Sequence, residues 1–191
     1  GSSKRLRPIT DNRPKCLIEL NGETILDYQL RCLDACGIKK ILIIAGYKKE
    51  KIINHIKKSK YKHLVKIINN PVFHKTDNTY SLSLGLKQID ENKDSVLLLD
   101  GDIIFDCELL KKIITAKHKC ALIADNEQGI KAEDNKVLIE NDYALVISKK
   151  IKGSAVYKSI IKLNGKLLNI FKKECAKTEN QKEWYTDSLT R

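Results

Sequence analysis

Ile41-Leu42-Ile43-Ile44-Ala45 is a run with no polar side chain, bounded by Lys39-Lys40 and Gly46. Such a run, too short for a helix, reads as a strand covered on both faces, which is the signature of a parallel α/β sheet. Val65-Lys66-Ile67-Ile68, Ser95-Val96-Leu97-Leu98-Leu99 and Lys119 to Ala124 read as further strands, and Cys16-Leu17-Ile18-Glu19-Leu20 before Asn21-Gly22 as a strand and a tight turn. Between them the spacing is helical. Thr24-Ile25-Leu26-Asp27 has the form of a variant capping box, Leu26, Leu30 and Leu33 follow at i, i+4 and i+7, and Gly37 closes the helix. In 48–58, Ile52, Ile53 and Ile56 face inward and the lysines outward. Helices are also expected from Asn78 through Leu82 and Leu86 to about Ile89, and from Leu109 to Ala116. The order βαβαβαβ predicts a parallel sheet with helices on both faces.

After Asp125 the pattern changes. Residues 136–140 and 143–148 flank Asn141-Asp142, a hairpin signal, and 163–174 and 183–189 look helical. A parallel core of about 125 residues is thus followed by a mixed region. The 191 residues suit one domain, with 42% apolar and 31% charged residues as in a globular chain. No apolar run reaches the roughly 18 residues of a membrane helix, and no secretory leader is visible. Collagen, coiled coil and mucin-like stalk are excluded by composition.

The charge of +12 is uneven: residues 39–66 hold ten lysines and one acid, Glu50, so 10 − 1 = +9 lies there. A nucleic-acid patch is one reading. Aromatic side chains for base stacking are sparse in the segment (Tyr47, Tyr61), so a solvated helix face is preferred. The six cysteines (16, 32, 36, 107, 120, 175) form no CxxC pair, and no metal spacing joins them to His55, His63, His74 or His118. They are expected as free thiols in a reducing, cytoplasmic compartment.

Three constellations carry chemistry. Gly1-Ser2-Ser3-Lys4-Arg5, with Pro14-Lys15 after it, offers small residues that let backbone N–H groups approach phosphates, and cations to neutralise them. Asp100-Gly101-Asp102 follows the most apolar strand, and ligands of open α/β sheets bind beyond the carboxyl ends of strands. Two carboxylates there suit Mg²⁺, which takes one or two carboxylates plus phosphate oxygens. Asn69 to Leu82 is a polar loop opening a helix, whose Asn78 and Ser81 side chains could read a base edge or simply cap the helix.

In this order the three resemble the nucleotidyltransferases of the sugar-phosphate and phosphocholine cytidylyltransferase type. That family opens with a strand, a loop of the form G-x-G-x-R-L-x-P-L-T, and then P-K. Gly1 to Thr10 and Pro14-Lys15 match this frame, with Ser3 at the second glycine. Leu20-Asn21-Gly22, Gly37-Ile38, Gly46-Tyr47 and Asn70-Pro71 also match, and Asn78-Thr79-Tyr80-Ser81-Leu82 is nearer to the phosphocholine and 2-aminoethylphosphonate branch than to the sugar enzymes. Asp134-Asn135-Lys136-Val137 and Ser148-Lys149 resemble later landmarks of that branch.

The resemblance implies a Rossmann-like three-layer α/β/α (GT-A-like) fold with a mostly parallel central sheet. It makes Gly1 native, so the expected extent is a single domain, 1–191, trimmed at both ends. It implies CTP, a small phosphate or phosphonate acceptor and Mg²⁺, with no nucleic-acid or membrane partner. Homodimerisation and fusion to another enzyme domain are both compatible with it. Arg5, Lys15 and Asp102 would be catalytic, Asp102 the metal ligand; Gly1, Ser2, Ser3, Asn78, Ser81 and Asp100 would bind nucleotide; Lys136 and Lys149 would bind the acceptor. The family's second metal carboxylate near the C-terminus has no matching motif before Arg191, Glu183 and Asp187 being expected at a helix surface. Trp184-Tyr185 reads as core or as the border of a pocket for a cationic amine. A sugar-1-phosphate nucleotidyltransferase, a non-catalytic nucleotide-binding homologue and a basic nucleic-acid module on 48–62 are the alternative readings.

Overall fold

Asn21 and Gly22 hold positive φ angles of 51° and 82°, the two-residue turn that joins β1 (Glu19–Leu20) to β2 (Glu23–Thr24) as an antiparallel pair. Thr24 then caps α1 (Ile25–Ala35), its Oγ1 accepting the Asp27 amide at 3.0 Å. The structure, a computed structural model, describes residues 6–127 and 129–190. It divides into two compact units, one of Gly1–Lys75 with Asp100–Ile114 and one of Thr76–Leu99 with Thr115–Arg191.

In the first unit β3 (Ile41–Ala45) and β4 (Val65–Asn69) run parallel, paired from Ile41 opposite Val65 to Ala45 opposite Asn69. α2 (Lys49–Lys58) connects them and buries Ile52 and Ile56, while its lysines stay outside. These isoleucines close a core with Leu17, Leu26, Leu30, Ala45, Tyr61 and Leu64. Gly46 is required where it stands, since a Cβ there would lie 2.5 Å from the Phe73 Cβ. α4 (Cys107–Thr115) buries Leu110 and Ile113.

The second unit is built on a five-stranded sheet. β9 (Ala155–Leu163) pairs antiparallel with β5 (Val96–Leu99), β6 (Ala121–Asp125) and β7 (Lys136–Glu140), and β7 pairs with β8 (Tyr143–Ser148). α3 (Asn78–Leu86), α5 (Gly165–Ala176) and α6 (Tyr185–Leu189) belong to this unit. Val137, Leu163, Leu168, Phe171 and Cys175 are among its fully buried apolar residues.

Several expectations are corrected. The described sheets are not mostly parallel: β3 with β4 is the parallel pair, and every other described pairing is antiparallel. The cause is β9, which no reading of the sequence placed. Ser159 stands at φ 58° inside it, and the β6–β9 register shifts between Leu122 and Ala124. This irregularity, with Lys158 and Lys162 in the strand, breaks the period-2 pattern that identifies a strand. The strand expected over 16–20 is a 3₁₀ turn, Lys15–Leu17, closed by the Leu17 amide on the Pro14 carbonyl, and only then β1. The cysteines are not all free thiols: Cys32 of α1 and Cys107 of α4 form a disulfide with Cα atoms 5.2 Å apart. Their 75-residue separation hides that proximity in the sequence. No helix among the described residues is long and apolar enough to cross a membrane.

Candidate active site

Lys15 and Asp102, far apart in sequence, meet in the first unit. Lys15 Nζ donates to Asp102 Oδ2 at 2.6 Å, with both side chains partly exposed. At that exposure the pair contributes no more than about 1 kcal/mol to stability. Its meaning is positional: an ammonium and a carboxylate held together at a surface are each available to a polyanion and its counter-ion. Pro14 sets the 3₁₀ turn that starts at Lys15. Cys16 beside it is a poor nucleophile, its thiol pushed up to about 11, chiefly by burial, with the Asp102 charge adding.

The loop bearing Asp102 is held by one face of α1. Gln29 is buried, and its Nε2 donates to the Asp100 carbonyl at 3.0 Å and the Ile103 carbonyl at 2.9 Å, bracketing Asp102. Tyr28 donates its hydroxyl to the Phe105 carbonyl, and the Cys32–Cys107 disulfide follows one turn on. Sequence reasoning missed all three. A polar Gln29 beside Leu26, Leu30 and Leu33 on the apolar stripe was the available signal, because a buried amide needs partners. Tyr47 was quoted only as a landmark. Its hydroxyl lies 3.0 Å from the Thr10 carbonyl and 3.1 Å from that of Asp11, tying down the loop after the basic segment. Asn70 is structural: its Oδ1 accepts the Val72 amide at 3.0 Å, and its own amide donates to Ala45.

Asp100 and Asp102 offer the hard oxygens that Mg²⁺ prefers. Among the described residues no group of three or more His, Cys, Asp or Glu converges. The donor set therefore fits a cation completed by phosphate oxygens and not one caged by protein alone. Gly1, Ser2, Ser3 and Arg5 lie outside the described residues.

In the second unit the predicted side chains are anchored by backbone groups. Asn78 Oδ1 accepts the Tyr185 amide at 2.9 Å, and Thr79 donates to the Glu183 carbonyl at 2.7 Å. The Asp77 amide donates to the Gln181 carbonyl at 2.9 Å. The start of α3 is thereby stapled to 181–185. Ser81 lies three residues on, half-buried. Lys136 and Lys149 are brought together: Lys136 Nζ donates to the Lys149 carbonyl at 2.7 Å and to that of Ala132 at 3.0 Å. The Lys149 ammonium sits 3.8 Å from the centre of the Trp184 ring. Tyr185 is core, its ring packed edge-on against Tyr157.

This fold is the nucleotidyltransferase fold. The solved structure of the CTP:phosphocholine cytidylyltransferase from Streptococcus pneumoniae matches it with a TM-score of 0.70 and 20% identity, over 100% of this chain and 80% of that one. The chain belongs to the family described as a domain of unknown function (DUF6564), which matches residues 15–152. Its curated relatives are nucleotidyltransferases. The CTP:phosphoglutamine cytidylyltransferase of Campylobacter jejuni is 29% identical over 65% of this chain and 49% of its own length. The choline-phosphate cytidylyltransferase of Streptococcus pneumoniae is 34% identical over 53% of this chain and 41% of its own length. The chain thus spans half or less of the length of these two relatives.

Proposed function

We propose that this chain carries the nucleotide-transferring site of a CTP-dependent cytidylyltransferase. It would join CMP to a small phosphorylated or phosphonylated amino-alcohol and release pyrophosphate. An oxygen of the acceptor's phosphate or phosphonate attacks the α-phosphorus of CTP. The bond from that phosphorus to the bridging oxygen breaks, and the electron pair leaves with pyrophosphate. Such transfers need positioning and charge neutralisation more than covalent help.

Lys15 and Arg5 neutralise charge on the triphosphate. By the family resemblance Gly1, Ser2 and Ser3, outside the described residues, would bind the triphosphate, Asn78 and Ser81 the cytidine, and Lys136 and Lys149 the acceptor. Mg²⁺, with Asp102 and Asp100 as its ligands, would supply charge neutralisation across the phosphates when bound. The observation that carries the reading is the Lys15–Asp102 pair, set on a loop whose carbonyls are bound by the buried Gln29. The two relatives named above, whose acceptors are phosphoglutamine and choline phosphate, support the small-acceptor class.

The test is pyrophosphate release by the full-length protein with Mg²⁺, crossing four NTPs with small phosphates, 2-aminoethylphosphonate and sugar 1-phosphates. Turnover with CTP and a small acceptor is expected, and Asp102→Ala lowers it on the order of a hundredfold or more. Turnover only with a sugar 1-phosphate overturns the acceptor class. Nucleotide binding without turnover overturns the enzyme and leaves a binding homologue.

A further inference from the structure

Three of the six cysteines meet at one place in the first unit. Cys32 and Cys107 are bonded, and the Cys36 Sγ lies 4.0 Å from the Cys107 carbonyl oxygen. Cys32 and Cys36 stand one helical turn apart at the end of α1, so the start of α4 has a sulfur of α1 on either side of it. The bonded residues differ in access: Cys32 is fully buried, whereas Cys107 is partly exposed. A thiolate from solvent therefore approaches the bridge through Cys107, and attack there expels Cys32. Cys36 is a half-buried thiol, pushed up by burial and then by the Glu108 charge, so at neutral pH it rests protonated beside the bridge. Burial holds Cys16 and Cys175 more firmly in the thiol form, pushed up to about 11 and about 12. What the bridge holds is the segment of Asp102. Gln29 binds the Asp100 and Ile103 carbonyls, Tyr28 binds that of Phe105, and the bridge is the covalent tie at the far end.

We infer that the Cys32–Cys107 bridge is a reversible redox switch on the segment that carries Asp102, with Cys36 as the alternative partner of Cys107. Closed, it clasps residues 100–107 to α1; open, it lets them loosen. A soluble dithiol opens it. One thiolate bonds to Cys107 Sγ as the bond to Cys32 breaks, and Cys32 leaves with the electron pair and takes up a proton. The second thiolate of the reductant then displaces Cys107, which also takes up a proton. The protein gains two electrons and two protons, and the dithiol becomes a disulfide. A soluble disulfide closes the bridge by the reverse exchange. The consequence for catalysis at Asp102 rests on the cytidylyltransferase reading, whereas the switch itself does not.

The full-length protein is cycled between dithiothreitol and oxidised glutathione under native conditions. Its thiols are trapped by alkylation and assigned by peptide mass, and amide hydrogen exchange over 100–107 is followed on the same samples. The bridge should open and re-form, with exchange over 100–107 rising about tenfold or more when it is open and falling back when it closes. In Cys32→Ser, oxidised glutathione should yield a Cys36–Cys107 bridge, and in Cys32→Ser with Cys36→Ser a lasting glutathione adduct on Cys107. With pyrophosphate release as the readout, the Mg²⁺ concentration for half-maximal rate should rise several-fold in the reduced protein and return on reoxidation. A bridge that dithiothreitol leaves intact, or exchange over 100–107 that is equal in the two states, overturns the switch. A glutathione adduct that persists in Cys32→Ser overturns the role of Cys36. An equal Mg²⁺ requirement in the two states overturns the control of Asp102. Reversible opening without pyrophosphate release under any condition overturns the cytidylyltransferase reading and leaves the switch standing.

Discussion

The two units hold their polar groups in opposite ways. In the first, a single helix does the holding. Tyr28, Gln29 and Cys32 of α1 reach across to the 100–107 segment and fix it by two side-chain donors and a disulfide, and Asp102 meets Lys15 with its carboxylate partly exposed. In the second, residues about a hundred positions apart are stapled through backbone groups: Asn78 to Tyr185, Thr79 to Glu183, Asp77 to Gln181. There the side chains expected to meet ligands also fasten the chain. A residue that looks like a ligand can be doing structural work at the same position, as Asn78 and Lys136 show. A residue that looks structural, such as Gln29, can set the geometry of the reacting group.

The sharpest way to break this contrast is to remove the apolar support of the second unit. Phe171→Ala, at a fully buried position, should cost about 3–5 kcal/mol, read as the shift of a urea unfolding curve. The covalent clasp of the first unit comes next. Replacing both Cys32 and Cys107 by serine should destabilise by about 2–4 kcal/mol, and dithiothreitol should produce the same shift in the wild type but none in the double variant.

Gln29→Leu follows. It leaves the Asp100 and Ile103 carbonyls without their donor, which costs about 1–3 kcal/mol. If α1 aims Asp102, the concentration of Mg²⁺ needed for half-maximal pyrophosphate release rises in this variant; an equal loss of stability made at Leu30 should leave that concentration unchanged. The smallest effect belongs to the surface pair Glu23–Arg31, whose two hydrogen bonds hold the Glu23 carboxyl below its ordinary value. A lowered folded-state value means the pair stabilises at neutral pH and loses that contribution as pH falls through the lowered value. The urea midpoints of wild type and Glu23→Gln should therefore differ slightly at neutral pH and converge in acid.

Much of the fold was legible because its signals are local. The apolar run at 41–45, the helix from Thr24, the Asn141-Asp142 turn and the loop after Leu99 each announce themselves within a few residues. β9 stayed hidden because its irregularity at Ser159 and its two lysines erase the strand period, although it is the strand that β5, β6 and β7 all pair with. Lys158 is tolerated there because Asp125 pairs with it at 3.1 Å, and Lys162 because its ammonium donates to the Ala116 carbonyl at 2.6 Å. Those partners are invisible to any reading of neighbours.

By itself the sequence determined the α/β class, the order of most elements and the two acidic residues after the most apolar strand, because burial and turn chemistry are written in short windows. It also carried the motifs by which the chain resembles the nucleotidyltransferases. Only the tertiary structure decided that Lys15 lies on Asp102, that Gln29 holds the loop, that Cys32 finds Cys107 and that Lys149 covers Trp184. Each of these pairs spans from 35 to 87 residues, and which distant side chains meet is set by how the elements pack and not by any local preference.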